Sequence, residues 1–285
     1  RSPSRGLGDV YKRQALNNNV VIAHDDLEEV VLIGRGIGFG AKENDILDTG
    51  KADKVYKLTG KQDSGRYQTL LTMGDEQLFK LIFEAIELID ELTANQVNDR
   101  IVLSLTDHLL FSIKRQEEGI EITNPFINET RALYPKEYQI AEEVVTMVNQ
   151  KYHIHLPEAE IGFIALHVHS SIYNKSVLEM NIFSEVVHQA IMMIETGLGI
   201  SVDQTSLWYD RFVRHISFCV QRVIKGESVP DQADFGELLK AQYPLCYNVA
   251  IKIVKMMQNK LQRKVYDSEV VYLTMHINQF EHYSK

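Results

Sequence analysis

The chain has 285 residues, enough for two or three domains with substantial cores. With 45% hydrophobic and 24% charged residues it reads as a soluble globular protein, and no apolar run reaches the roughly 18 residues of a membrane span. A net charge of −9 argues against binding nucleic acid by bulk electrostatics, so a nucleic-acid site would have to work by shape and base contacts. Cys219 and Cys246 stand in apolar stretches without CxxC or His-rich spacing; this supports neither a disulfide framework nor a zinc site and points to a reducing cytoplasm.

Residues 1–14, RSPSRGLGDVYKRQ, have no periodicity that continues into the next segment and read as a stretch foreign to the fold. From Leu16 short β-rich runs alternate with turns, at residues 19–23, 29–33, 37–39 and 54–58, with Asp25-Asp26 at a turn. A sheet built from residues 15–60 has a small core, and dimerisation is an expected source of its stability. Residues 61–74, rich in glycine and polar side chains, read as a linker.

From Asp75, a candidate cap, the period becomes helical: Leu78, Leu81, Ile82, Ala85, Ile86, Ile89 and Leu92 recur at three- and four-residue steps. Further helices are expected over 99–115, from Pro135 to about 152, and from near Pro157 through His167. Four more are expected over 177–196, 204–225, 243–263 and 267–283.

These helices contain a repeat. Asp107-His108, YPKEY (134–138) and EIGFIALHVH (160–169) recur as Arg214-His215, YPLCY (243–247) and EVVYLTMHIN (269–278). The offset is 107 residues at the first histidine and 109 at the other landmarks, so two tandem copies of one domain follow, over 75–175 and 176–285. Of the ten histidines only His108, His215, His167 and His276 recur; His169 falls opposite Asn278, His153 opposite Gln262 and His188 opposite Leu81.

An imidazole is nucleophilic near neutral pH and accepts phosphoryl groups, whose charge can reorder a packed interface. His167 and His169 lie about 200° apart on a helix, a poor metal pair. No metal or cofactor is expected.

The glycine run Gly34-Arg35-Gly36-Ile37-Gly38-Phe39-Gly40 lacks GxGxxG spacing and a following Lys-Ser/Thr, and reads as a hairpin using glycine for its φ freedom. Beside Asn17-Asn18-Asn19 it suggests an RNA reader: amides for base edges, Arg35 for phosphate or stacking, and Phe39 for an unpaired base.

The segment LNNNVVIAHDDLEEVVLIGRGIGF, followed by two histidine-bearing helical repeats, resembles the BglG/SacY family of transcriptional antiterminators, over about residues 15–285. The resemblance implies a multidomain fold, in which a small antiparallel β-sheet RNA-binding domain precedes two all-α helical-bundle PTS regulation domains. It implies RNA contacts at Asn17, Asn19, Gly34, Arg35 and Phe39, and phosphorylation at His108, His167, His215 and His276. The partners it implies are an RNA antiterminator hairpin, the phosphocarrier HPr, a sugar-specific PTS permease (enzyme II) and a second copy of the chain. The wording VVLIGRGIGFGAKE looks closer to the glucose-permease branch.

Gln14 stands where the family has a lysine ending its first strand, so that strand is expected to be lost here. Asp107 beside His108 and Arg211 and Arg214 near His215 suggest that the copies respond differently to a phosphoryl group. A DNA-binding activator sharing the regulation domains is the competing class, but it needs a helix-turn-helix where residues 15–60 read as strands. No nucleotide loop, carboxylate pair or metal constellation supports an enzyme.

Overall fold

A computed structural model describes residues 10–15, 20–24, 29–34, 36–40, 42, 45–58, 76–227, 230 and 233–283. Five strands, β1 (Val10–Ala15), β2 (Val20–His24), β3 (Glu29–Ile33), β4 (Ile46–Leu47) and β5 (Lys54–Leu58), form one antiparallel sheet in the order β4-β1-β2-β3-β5. The sheet therefore begins five residues before the expected boundary. Val10–Ala15 is not lost to the fold: it pairs with β2 and, through Val10 and Tyr11, with β4, with a register shift between Lys12 and Gln14.

Val20 to Ala23 and Val30 to Ile33 are buried, so both faces of the central hairpin are covered within one chain. One face packs Val21, Ala23, Val30 and Leu32 with Ile37 and Leu47. Toward the helices, Tyr56 on β5 is buried, and Lys54 on the same strand pairs with Asp90 at 2.6 Å. The hydroxyl of Tyr56 is pushed above its ordinary pKa by burial and by Asp90, Glu87 and Asp99.

The expected strand over 37–39 is instead a turn. Ile37 N–H donates to the Gly34 carbonyl at 3.2 Å and Phe39 N–H to that of Gly36 at 3.1 Å, with Gly36 and Gly40 at φ 71° and 70°. Two left-handed glycines bend the chain where β-propensity alone would extend it. Gly34 is needed for another reason: a Cβ there would lie 2.2 Å from the Lys51 carbonyl oxygen, at the one-turn 3-10 helix over Thr49–Lys51. Asp48 caps that turn, accepting from Gly50 N–H at 3.0 Å. The expected cap Asp75 and linker 61–74 lie outside the described residues.

The helices are α1 (Glu76–Leu92), α2 (Arg100–Glu117), α3 (Ile127–Leu133), α4 (Pro135–Tyr152), α5 (Glu158–Tyr173), α6 (Val177–Leu198), α7 (Leu207–Lys225), α8 (Ala233–Gln242), α9 (Pro244–Leu261) and α10 (Ser268–Tyr283). The short helices α3 and α8, each just before a Tyr-Pro pair, were not anticipated. The copies share their terminators too: α4 and α9 are followed by His153 and Gln262 at φ 53° and 50°, opposite each other in the repeat. His153 thus occupies a left-handed position that ends a helix.

The chain forms two compact units, Arg1–Thr123 with Lys136–Lys175, and Asn124–Pro135 with Ser176–Lys285. In the first, α2 packs on α1 and α5. Ile82, Ile86 and Ile89 of α1 and Leu105, Leu109 and Ile113 of α2 are buried at helical spacing. In the second, α6 and α10 pack on α9, and α3, which sequence order places before the first Tyr-Pro turn, packs on α6 and α7. Gly197 serves the α6–α9 contact: a Cβ there would lie 2.5 Å from Val249 Cγ2.

Candidate functional site

The repeated histidines meet in pairs. In the first unit α2 brings His108 and α5 brings His167 to a ring-centroid distance of 4.9 Å. In the second, α7 and α10 bring His215 and His276 to 4.7 Å. Phe163 flanks His108 at 5.9 Å, and Tyr272, its counterpart in the repeat, flanks His215 at the same distance.

Each pair is backed by a buried carboxylate in the first turn of its second helix, Glu160 or Glu269. Each carboxylate meets an arginine seven residues after the first histidine, Arg115 or Arg222. The motif reading used Glu160 and Glu269 only as landmarks and missed both arginines. The signal was available, because Arg115 and Arg222 share the 107-residue offset of His108 and His215, and seven residues is two helical turns.

The clusters differ in how the carboxylate is used. In the first, His108 Nε2 lies 2.8 Å from Glu160 Oε2, an ion-pair approach off the N–H axis. Arg115 Nη2 donates to Glu160 Oε1 at 3.2 Å and to Ser112 Oγ at 2.9 Å. Burial raises the Glu160 pKa, but His108, Ser112 and Arg115 outweigh it and hold the carboxyl below its ordinary value. In the second cluster Arg222 grips Glu269 as a fork, Nε to Oε1 at 3.0 Å and Nη2 to Oε1 and Oε2 at 2.7 and 2.9 Å. His215 Nε2 is 3.7 Å from Glu269 Oε2 and, though buried, makes no hydrogen bond.

Burial, with smaller repulsion from His108, lowers the His167 pKa to about 3, against an opposing pull from Glu160. Burial, His276 and Arg222 lower that of His215 to about 3 as well. His276 is lowered by burial and by Arg211, whose guanidinium stacks on Trp208 at 4.9 Å. Near pH 7 these three rings are neutral and hold a lone pair, as a phosphoryl acceptor requires.

Among the remaining histidines, His169 holds Glu137 at 2.8 Å and stacks on Tyr173 at 4.3 Å, and His188 holds the buried Glu129 at 3.0 Å. Both have structural partners in place. Among the described residues no group of His, Cys, Asp and Glu is placed to hold a metal.

At the sheet, Phe39 is 77% exposed at the tip of the glycine turn, while Gly34 is buried beneath it. Asn17, Asn19 and Arg35 lie outside the described residues. No helix among the described residues is long and apolar enough to cross a membrane.

The PRD domain profile matches residues 83–171 and 188–280, and that of the CAT RNA binding domain matches residues 13–65. The chain is 44% identical over 270 residues to the GlcA/glcB genes antiterminator of Staphylococcus carnosus, covering 94% of each. It is 40% identical over 275 residues to Protein GlcT of Staphylococcus saprophyticus, covering 96% of this chain and 98% of that one. The crystal structure of GlcT CAT-PRDI, at 46% identity and a TM-score of 0.51, spans 58% of this chain and 99% of its own.

Proposed function

We propose that this chain, which belongs to the BglG/SacY family of transcriptional antiterminators, binds a bulged hairpin in the nascent RNA of a PTS sugar operon and is switched by phosphorylation of His108, His167, His215 and His276. RNA held by the sheet cannot fold into an overlapping terminator, and transcription continues. The single observation that carries the switching half is the doubled cluster: two neighbouring imidazoles, a buried carboxylate and an arginine, built twice on matching helices. A phosphoryl dianion entering such a cluster competes with the carboxylate for the arginine, and so turns a local charge into a helix displacement.

The donors on this reading are HPr and a sugar-specific permease domain. A second copy of the chain completes the RNA-binding form, and the cytoplasm, where transcripts emerge, is its place of action. The relatives named GlcA/glcB genes antiterminator and GlcT favour the glucose branch. Asn17, Asn19 and Arg35 supply polar contacts, Gly34 lets the turn close against Lys51, and the exposed Phe39 stacks on an unpaired base. A DNA-binding activator would need a helix-turn-helix, whereas the described residues of 10–58 form strands, turns and a one-turn helix.

Gel shifts against a bulged RNA hairpin and against duplex DNA, combined with phosphosite mapping after incubation with HPr and permease domains, test the proposal. Binding to RNA, with label on the four histidines, is expected. Binding to DNA alone, or label absent from all four, overturns it. Phe39→Ala should weaken RNA binding by about 1–3 kcal/mol, the usual worth of one base stack. Its melting temperature should stay unchanged, since the ring is already in solvent.

A further inference from the structure

The two clusters share His, His, Glu and Arg, yet the carboxylate faces the histidine in one and the arginine in the other. Of the neighbouring positions that differ, one lies beside the arginine. Four residues after the first histidine, on the same helix face, stands Ser112 in the first cluster and Cys219 in the second, both fully buried or nearly so.

Ser112 Oγ accepts from Arg115 Nη2 at 2.9 Å and lies 3.5 Å from His108 Nε2. Arg115 therefore divides its Nη2 between the hydroxyl and one oxygen of Glu160, and the other oxygen is left for His108 at 2.8 Å. A thiol is a far weaker acceptor than a hydroxyl. Facing Cys219, Arg222 commits both Nε and Nη2 to Glu269, and His215 Nε2 is left at 3.7 Å with no hydrogen bond. Burial and Glu269 raise the Cys219 pKa against an opposing pull from Arg222, which lies beside the thiol, so the thiol stays neutral and cannot attract the guanidinium as a thiolate would.

We propose that Ser112 and Cys219 are positioning residues that decide whether the buried glutamate serves the histidine or the arginine, so that His108 is pre-oriented as a phosphoryl acceptor and His215 is not. This rests on the phosphorylation reading above. In the first cluster the Glu160 carboxylate, 2.8 Å from Nε2 of His108, favours the proton on that nitrogen by its charge and leaves the lone pair on Nδ1. As Nδ1 forms its bond to phosphorus, the donor's own P–N bond breaks. The acceptor ring is cationic at that moment, and Glu160 stabilises it. The departing nitrogen keeps the electron pair of the broken bond and takes up a proton from solvent, leaving a dianionic phosphoryl group on an imidazolium whose Nε2–H stays beside Glu160. His215 lacks this support until the fork between Arg222 and Glu269 opens.

The test uses the full chain with ¹⁵N-labelled histidine, phosphoramidate as a small donor, and the near-isosteric swaps Ser112→Cys and Cys219→Ser. The readouts are ring ¹⁵N shifts, which report the tautomer, and the rate of phosphoryl uptake at each site by mass spectrometry. Ser112→Cys should slow uptake at His108 by roughly tenfold, and Cys219→Ser should speed it at His215 by a similar factor, the usual scale for a carboxylate that orients a histidine. Ring shifts should show His108 losing its fixed Nε2–H tautomer and His215 gaining one. Cys219→Ala should bring no gain, which separates loss of the thiol from gain of a hydroxyl. Unchanged ring shifts, with rates within about twofold of the parent, would overturn the assignment. If neither histidine of the parent chain takes up phosphate from phosphoramidate or HPr, the phosphorylation reading fails instead. The ring shifts of the two swaps then decide the Ser/Cys rule alone.

Discussion

The two histidine clusters use the same four residue types at matching positions, and they are not in the same electrostatic state. In the first, the strongly depressed imidazole is the second histidine, His167, and the carboxylate lies against the first. In the second, the strongly depressed imidazole is the first histidine, His215, and the carboxylate is held in an arginine fork. Duplication preserved the parts and not their hydrogen bonds. A buried charge settles on the best partner within reach, and a change of one acceptor beside it redistributes the whole set.

The largest expected difference is in the arginines. Arg222→Gln leaves Glu269 buried without its fork and should cost about 3–5 kcal/mol in urea unfolding. Arg115→Gln removes one longer contact to Glu160 and one to the Ser112 hydroxyl, leaves His108 on Glu160, and should cost about 1–2 kcal/mol. Equal losses would break the comparison.

Packing comes next. Gly197→Ala forces a methyl against Val249 where α6 meets α9, and should cost about 1–3 kcal/mol by thermal or urea unfolding. The first copy has Asp90 at the matching position, so that contact belongs to the second copy alone.

Titration sharpens the contrast between histidines. A histidine held at about 3 when folded and near 6.5 when unfolded stabilises the fold fully above pH 6.5. That stability is lost as pH falls from 6.5 toward 3, because only the unfolded chain takes up the proton. The slope is at most about 1.4 kcal/mol per pH unit for each such ring. Unfolding free energies from pH 7 to 4 should flatten with His167→Asn and with His215→Asn. An unchanged slope in both variants would contradict the assignment of the buried rings.

The smallest difference lies in a loop brace. Asn149 accepts from Leu156 N–H at 2.8 Å and donates to its carbonyl at 3.3 Å, whereas the matching Gln258 only donates to the Val265 carbonyl, at 3.0 Å. Asn149→Ala should therefore cost about 1–2 kcal/mol and Gln258→Ala about 0.5–1, measured by urea unfolding. A reversed order would show that the brace does not scale with its bonds.

Much of the helical framework was legible, because apolar side chains at three- and four-residue steps report directly on which face is buried. Ile82, Ile86 and Ile89, and Leu105 and Leu109, were readable in this way. The residues over 37–39 misled because a run of Ile and Phe favours strand, while the φ freedom of Gly36 and Gly40 decided for a turn. Val10–Ala15 was hidden by its mixture of polar and apolar residues, since this strand takes much of its order from pairing with β2 and β4 rather than from its own composition. The helices α3 and α8 are seven and ten residues long, too short for their periodicity to stand out against the neighbouring turns.

By itself the sequence determined that four histidines belong to a repeated helical frame, that a glycine turn carrying an aromatic residue precedes it, and which family those features resemble. Periodicity and repeat offsets are properties of order along the chain, and order is what a sequence records. Only the tertiary structure decided that His108 meets His167 and His215 meets His276, and that Glu160 and Glu269 lie beneath them. It also decided that α3 packs on α6 and α7 while its counterpart α8 packs on α9 and α10. The state of each buried carboxylate depends on which donors reach it within about 3 Å. That distance is fixed by packing across helices, which no spacing along the chain encodes.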